Sequence, residues 1–527
     1  MPTLNDPAGL RWEMHGDRVV RCPAIRPLNI DTMFDEAAAR CPSVVAAVDG
    51  DLRLTYAELS QAVAACAGRL QGLSLARADR VSALLGNRLD FLVLLLATAR
   101  LGLIFVPMNI RQSSDEIAYA LRDSGASALF CETELAERLP RLEDGASCRH
   151  VEFVDDDNRI WMGDFEPVPG GESVEEDAPC CLIYTSGTTG RPKGAVLTHF
   201  GLVANCIASR EGLDLHDGEV SILAAPASHV TGLVLVLLLM VSVAGKTVFL
   251  RQFKASQFLQ TARQEGLTYA IMVPAMYKLC LMEPSISESS LSSWRVGAFG
   301  GAPMPEATID ALAQVLPDLS LVNIYGATET SAPAVMMPSH EIRERASQVG
   351  RPLPFCDIRI MDEEGREVPA GEPGEVWIAG PMVVPGYWNR PDADEQGFAG
   401  GFWKSGDLGA MDADGYLSLT DRKKDMINRG GFKIYSIEVE NALMRHPAVV
   451  EAAVVPRSCP VLGERVVAFV VARDSVEAEE LRALCAAWLS DYKVPDNIGI
   501  VEGSLPRNAN GKLLKTEMRG WASERFG

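Results

Sequence analysis

Between Thr55 and Leu75 the apolar residues Leu59, Ala62, Val63, Cys66 and Leu70 recur at helical spacing, with Leu54-Thr55 as the entry. The pattern then alternates. Val81–Leu85 reads as a short buried strand, Phe91–Leu101 as an apolar helix, and Ile104–Pro107 as a strand. Asp115–Ser124 returns to helix and Ala128–Cys131 to strand. Strands alternating with helices of ten or more residues predict the α/β class, with parallel sheets covered on both faces. The alternation resumes through Val220–Ala224, the apolar 233–244 segment, Thr247–Leu250 and Tyr269–Val273. The 233–244 segment is well short of the ~20 residues that cross a bilayer, so it reads as a core helix.

Beyond about residue 350 the runs shorten. Cys356–Asp362, Gly374–Ala379 and Tyr416–Thr420 are separated by turn clusters such as Asp362-Glu363-Glu364-Gly365 and Asp412-Ala413-Asp414-Gly415. That spacing predicts an antiparallel, barrel-like region. After Asp421–Lys424 a small α/β unit is expected: helix Ser436–Arg445, strands Val449–Val455 and Glu464–Val471, and helix Glu477–Trp488. The expected division is a large N-terminal domain, 1–422, made of several subdomains, and a small C-terminal domain, 423–527.

At 527 residues the chain exceeds one simple core, and 47% hydrophobic with 23% charged residues is the balance of a soluble globular protein. The net charge of −21 and the lack of a long Lys/Arg run argue against a nucleic-acid surface. Any anionic substrate must be held by local cations and backbone donors against that field. The twelve cysteines form no C-x-x-C pair, and Cys180-Cys181 are adjacent, so free and mostly buried thiols in a reducing cytosol are expected. The first residues carry neither a basic leader nor an apolar stretch, and the last lack a Ser-Lys-Leu address, so a cytoplasmic location is expected.

The strongest chemical signal is Thr185-Ser186-Gly187-Thr188-Thr189-Gly190, followed by Lys193-Gly194. Glycines there permit tight turns that aim bare N–H groups at an anion, hydroxyls add donors, and Lys193 adds a cation. This is phosphate-cradling chemistry, although the spacing is not that of the common NTPase loop, since Lys193 is followed by Gly194. Further segments follow in order: Pro226-Ala227-Ser228-His229-Val230-Thr231-Gly232, then Gly300-Gly301-Ala302-Pro303, then Asn323-Ile324-Tyr325-Gly326-Ala327-Thr328-Glu329. Trp403-Lys404-Ser405-Gly406-Asp407-Leu408-Gly409, Asp421-Arg422-Lys423-Lys424-Asp425 and Pro506-Arg507-Asn508-Ala509-Asn510-Gly511-Lys512 complete the set.

Across most of the chain this ordered set resembles the signatures of the adenylate-forming superfamily, which contains acyl-CoA synthetases, peptide-synthetase adenylation domains and luciferases. The resemblance implies a mobile C-terminal domain and an acid–thiol ligase using ATP, Mg2+ and CoA. Thr185–Gly190 and Lys193 would meet pyrophosphate. Thr328 would hold an α-phosphate oxygen, and Glu329 would hold Mg2+, a hard cation that takes oxygen ligands. Tyr325 would offer a flat face to adenine beside Gly326, Asn323 would bond its amino group, and Gly301, Ala302 and Pro303 would wall the other face. Asp407 would accept from the ribose hydroxyls with Arg422 as second ribose ligand. Lys512 would carry adenylation by touching both the carboxylate and the α-phosphate. Lys424 matches the hinge, and Gly430-Gly431, after Arg429, the pantetheine tunnel. Arg422, Lys423 and Arg429 would offer positive charge to CoA phosphates. His229 stands where the family places an aromatic gate.

Pocket candidates are Val230, Thr231, Val234, Met272, Met276, Ala298, Gly300, Ala327, Ala332 and Val335, small or apolar residues that suit a neutral acyl or aryl tail. Lys278 would face a second carboxylate if its helical phase pointed inward. Three alternatives stand beside the acyl-CoA synthetase reading. One is a stand-alone acyl- or amino-acid-adenylating enzyme that loads a carrier protein; its amino-acid-activating form would carry an Asp near the pocket entrance for the substrate amine, where Ser228–Thr231 stands instead. A luciferase-type oxygenase shares the first step. A non-catalytic nucleotide-binding relative would be expected to have lost Lys512, Glu329 or Asp407. The partners implied are a carboxylic acid, ATP and CoA, with no membrane span; a homodimer is left open.

Overall fold

The computed structural model describes residues 9–141, 148–170, 174–185, 191–286, 291–508 and 513–527. The chain divides into two compact units, one of residues 1–358 with 378–403 and the other of 359–377 with 404–527.

The larger unit holds two mixed sheets. In the six-stranded sheet, Arg80–Leu84, Ile104–Pro107, Ala128–Glu132, His150–Val154 and Pro179–Thr185 run parallel, and Lys193–Thr198 closes one edge antiparallel to 179–185. In the nine-stranded sheet, Val45–Asp49, Lys246–Phe249, Val220–Leu223, Tyr269–Met272, Val296–Gly300 and Ser320–Ala327 form a parallel core with antiparallel strands at both edges. The α/β reading is borne out, and the boundaries expected from periodicity lie within a few residues of these.

Helix Leu89–Arg100 is buried at every position, and the segment Val230–Ser242 at all but its polar residues. A helix apolar on all sides has no solvent face to present, so it belongs inside a large core. The 230–242 segment is not a uniform α-helix as expected: Leu233–Leu238 is a π-helix, a wider turn that recurs at functional sites. Helix Tyr56–Gly72 begins at Thr55, whose hydroxyl and Glu58 form a reciprocal capping box. The N-terminal hairpin Leu10–His15 with Arg18–Pro23 and the helix Ile30–Arg40 complete the unit.

The smaller unit contains the hairpin of Phe402–Met411, most of which belongs here, with Leu417–Arg422. It also contains a five-stranded sheet in the order 432–434, 427–429, 463–472, 449–459, with Asn497–Ile500 parallel to 463–472. Alternate residues of its long strands enter two cores. Val454, Val466, Ala468 and Val470 pack with helices Ser436–Leu443 and Ala478–Trp488, while Val455, Val467 and Phe469 pack with helix Lys515–Phe526. The twelve cysteines are free and nine are buried, which fits the thiol reading. No helix among the described residues is long and apolar enough to cross a membrane.

Candidate active site

In the nine-stranded sheet the segments singled out from the sequence follow the C-terminal ends of adjacent parallel strands. Pro226–Gly232 follows strand 220–223, helix Pro274–Leu281 follows 269–272, Gly301–Pro303 follows 296–300, and Thr328–Glu329 follows 320–327. This edge is where open α/β sheets bind ligands.

Each segment is held by close backbone contact. A Cβ on Gly232 would stand 2.3 Å from the Pro226 carbonyl oxygen, so glycine closes that loop. Buried Asn87 pins the loop by accepting from the Ala227 N–H at 2.8 Å and donating to the Leu223 and Ala225 carbonyls at 3.0 Å. His229, half-buried, caps the 230–232 turn, its Nδ1 accepting from the Thr231 N–H at 3.2 Å. Val230, Val234, Met272, Ala298, Ala332 and Val335 are buried, and Thr231, Met276, Gly300 and Ala327 half-buried. Lys278 lies on the exposed face of helix Pro274–Leu281.

Gly300 and Ile324 pair across adjacent parallel strands. Gly301 turns the chain at φ 78°, leaving Ala302 and Pro303 exposed. Asn323 donates its amide to the Gln348 carbonyl at 3.5 Å, and Tyr325 is half-buried. Strand 320–327 then ends in one 3-10 turn, Thr328–Thr330, and returns as Ala332–Met336. Gly326 is needed for this return, because a Cβ there would sit 2.1 Å from the Ala332 carbonyl oxygen. The reversal is strained: Ser331 has φ 53° and Ala332 φ 120°, conformations that cost a non-glycine residue about 1–3 kcal/mol. Thr330, fully buried, ties it down, donating its hydroxyl to the Ala332 carbonyl at 2.6 Å and accepting from the Ala327 N–H at 2.9 Å. The Asn205 amide bonds the Thr330 and Pro333 carbonyls at 3.2 and 3.0 Å. Neither Thr330 nor Asn205 carries a signal in the sequence pattern.

The strands on either side of the phosphate-cradling segment pair antiparallel as a hairpin, with Thr185 directly opposite Lys193. Ser186, Gly187, Thr188, Thr189 and Gly190 lie outside the described residues. The Tyr119 hydroxyl donates to the Pro192 carbonyl at 2.9 Å and the Tyr184 hydroxyl to Asp123 at 2.8 Å, anchoring both arms. The hairpin meets the strained turn at Glu329. The Thr185 hydroxyl donates to Glu329 Oε1 at 3.5 Å, and the Tyr387 hydroxyl donates to the same oxygen at 2.9 Å. The Lys193 ammonium sits 4.1 Å from the centre of the Tyr387 ring. Burial pushes the Lys193 pKa down, an effect that Glu329 partly opposes. The Tyr387 hydroxyl is pushed up by burial and then by the Glu329 charge.

Glu329 is only 9% exposed, yet among the described residues no cation lies within 4 Å of its carboxylate. Its Oε2 has no hydrogen-bond partner among them. A nearly buried carboxylate with an unused hard oxygen fits a magnesium ion. The cluster of Glu13, His15 and Cys22 is a poor rival, because Arg26 donates to Glu13 at 2.7 Å and to the Cys22 sulfur at 3.6 Å. A cation already fills that place.

In the smaller unit Asp407 and Arg422 are cross-strand partners, and Arg422 Nε lies 2.9 Å from Asp407 Oδ1. Lys423 pairs with Glu375 at 3.1 Å and Arg429 with Asp496 at 2.9 Å. Each of the three cations expected to offer charge to CoA phosphates thus lies beside a carboxylate. The Lys424 carbonyl accepts from Arg519 at 2.6 Å, and burial pushes the Lys424 ammonium pKa down. Gly430 and Gly431, at φ 61° and 91°, turn the hairpin between strands Ile427–Arg429 and Phe432–Ile434. Lys512 lies outside the described residues.

Residues 34–388 match the family model of the AMP-binding enzyme, and 438–512 that of the AMP-binding enzyme C-terminal domain. The chain is 36% identical over 497 residues to feruloyl-CoA synthase of Amycolatopsis sp, covering 93% of this chain and 97% of that one. It is 34% identical over 511 residues to the fatty acid–[acyl-carrier-protein] ligase ScoC of Streptomyces coeruleorubidus, covering 94% and 96%. The structure of o-succinylbenzoate coenzyme A synthetase from Bacillus subtilis, in complex with ATP and magnesium ion, superposes with a TM-score of 0.84 at 30% identity, covering 92% of this chain and 99% of that one. The chain belongs to the AMP-binding enzymes, the adenylate-forming superfamily. Within that family it is an enzyme of the AMP-forming acid–CoA ligase type.

The strain at the 331–332 reversal gives a direct test. Ala332→Gly removes the φ penalty at the cost of a more flexible unfolded chain, so unfolding free energy should rise by about 1 kcal/mol. Urea denaturation measures it; a destabilised glycine variant would mean that the Ala332 methyl, not its backbone angle, matters there.

Proposed function

We propose that this enzyme joins a carboxylic acid with an apolar acyl or aryl tail to CoA in two steps. A carboxylate oxygen attacks the α-phosphorus of ATP, pyrophosphate leaves, and the CoA thiol then displaces AMP from the acyl-adenylate. The observation that carries the reading is the nearly buried Glu329 carboxylate, without a counter-ion among the described residues, beside Thr185 and Lys193 at the mouth of the phosphate hairpin.

Carboxylate is a poor electrophile, and adenylation supplies it with a good leaving group. The demand on the protein is electrostatic: charge grows on the α-phosphate and on departing pyrophosphate. Lys193 and the hairpin hydroxyls meet pyrophosphate, Thr328 an α-phosphate oxygen, and Lys512 the carboxylate and α-phosphate together. Glu329 would hold Mg2+, whose charge neutralises phosphate oxygens when bound. Asn323, Tyr325 and Gly301–Pro303 receive adenine, while Asp407 and Arg422 receive ribose. His229 and the residues from Val230 to Val234 border the acyl site with Ala298, Gly300, Ala327 and Ala332. The domain boundary is taken at 422/423, and rotation about Lys424 exchanges Lys512 for the Gly430–Gly431 turn, a hinge-type gating step.

The tail is read as apolar because the candidate pocket residues are small or apolar and Lys278 is turned to the exposed side of its helix. A carrier-protein pantetheine is the second acceptor to test, favoured by the likeness to ScoC. Incubation with Mg2+-ATP and a panel of carboxylic acids, with CoA or a pantetheinylated carrier protein, should release pyrophosphate and AMP and form a CoA thioester with at least one apolar acid. Formation of ADP and phosphate alone would move attack to the γ-phosphate and end this reading.

Lys512→Ala should slow adenylation by at least ~10²-fold, a typical loss for one positioned electrostatic group. Thioester formation from supplied acyl-AMP should change much less. Equal losses in the two half-reactions would assign Lys512 a structural part instead.

A further inference from the structure

Tyr387 touches both charged groups at the hairpin mouth. Its hydroxyl donates to Glu329 Oε1 at 2.9 Å, and its ring face receives the Lys193 ammonium at 4.1 Å. The residue is 7% exposed and fixed from several sides. Its N–H donates to Asp394 at 2.7 Å, its ring meets Phe398 edge-on, and its backbone bridges to Ala195 two residues past Lys193. The neighbouring Trp388 N–H donates to the Gly194 carbonyl at 2.7 Å. The phenol is therefore built into the hairpin that carries Lys193.

The Lys193 ammonium and the Glu329 carboxylate are the two charged contacts of one side chain, and their opposite charges favour a direct pair in a partly buried site. Such a pair would spend both charges on each other. Yet no Lys193–Glu329 contact within 4 Å exists. The aromatic face satisfies the cation, and the phenolic O–H satisfies one carboxylate oxygen by a charge-assisted bond. The second carboxylate oxygen has no hydrogen-bond partner among the described residues.

We propose that Tyr387 is a positioning residue that keeps Lys193 and Glu329 apart, so that the cation remains for phosphate and the carboxylate for the magnesium of Mg2+-ATP. The inference rests on the reading of Glu329 as the magnesium carboxylate. The two contacts of Tyr387 are separable: Tyr387→Phe deletes the hydroxyl and keeps the ring, whereas Tyr387→Leu deletes both.

The test is calorimetric binding of α,β-methylene-ATP to the full chain over a Mg2+ titration and in EDTA, with Tm, kcat and KM measured alongside. For Tyr387→Phe the Mg2+ concentration that half-saturates its effect on nucleotide binding should rise about tenfold, the size of one lost bond to a charged group. Binding in EDTA should stay within about twofold, and kcat should fall more than KM for ATP rises. Tyr387→Leu should also weaken binding in EDTA, because Lys193 then pairs with Glu329. An unchanged Mg2+ dependence in Tyr387→Phe, or equal weakening with and without Mg2+, overturns the proposal. Glu329→Gln separates the two levels: if it loses the Mg2+ dependence while Tyr387→Phe keeps it, only the part assigned to Tyr387 fails. If Glu329→Gln also keeps it, the magnesium reading fails and the proposal with it.

Discussion

A carboxylate nearly removed from water, with no cation against it among the described residues, is the constraint around which the larger unit is arranged. Isolated ionised groups are costly in such places, so the surroundings of Glu329 must over-determine its position. The strained reversal at Ser331–Ala332 puts it at the end of strand 320–327, and Thr330 and Asn205 hold that reversal with buried hydrogen bonds. The Val384 N–H fixes its carbonyl at 2.9 Å, and Thr185 and Tyr387 share one of its oxygens. Backbone strain of this kind lowers stability, and it clusters at functional sites.

The smaller unit treats charge in the opposite way. Arg422, Lys423 and Arg429 each face a carboxylate, in keeping with a chain whose net charge is −21. Asp407 and Arg422, set opposite each other on their hairpin, place an acceptor and a donor side by side.

Much of this was legible in the sequence because periodicity and motif order survive without any knowledge of packing. Many strands and helices of both units followed from alternation, and the expectation of a phosphate-cradling segment from its glycines and hydroxyls. The π-turns at Leu233–Leu238 were not legible, since an all-apolar run has the same pattern whatever its pitch. Tyr387 was missed for a related reason. It lies outside regular structure in Pro385-Gly386-Tyr387-Trp388, where a lone tyrosine reads as core, and only the three-dimensional meeting of hairpin, turn and loop gives it two charged neighbours. Thr330 and Asn205 stand 125 residues apart, a separation at which no local pattern couples two side chains. Gly326 was legible as important, though for another reason: it admits the returning strand rather than a ligand.

The central claim is that a carboxylate oxygen of the acid, not water and not a phosphate oxygen, forms the new bond to the α-phosphorus at this site. An accepted acid labelled with 18O in both carboxylate oxygens, turned over with Mg2+-ATP and CoA, reads that bond directly by mass spectrometry. Each AMP released should carry one 18O, with the thioester keeping the other and pyrophosphate unlabelled. Unlabelled AMP, with the heavy oxygen lost from the acid appearing in inorganic phosphate or in water instead, would contradict it.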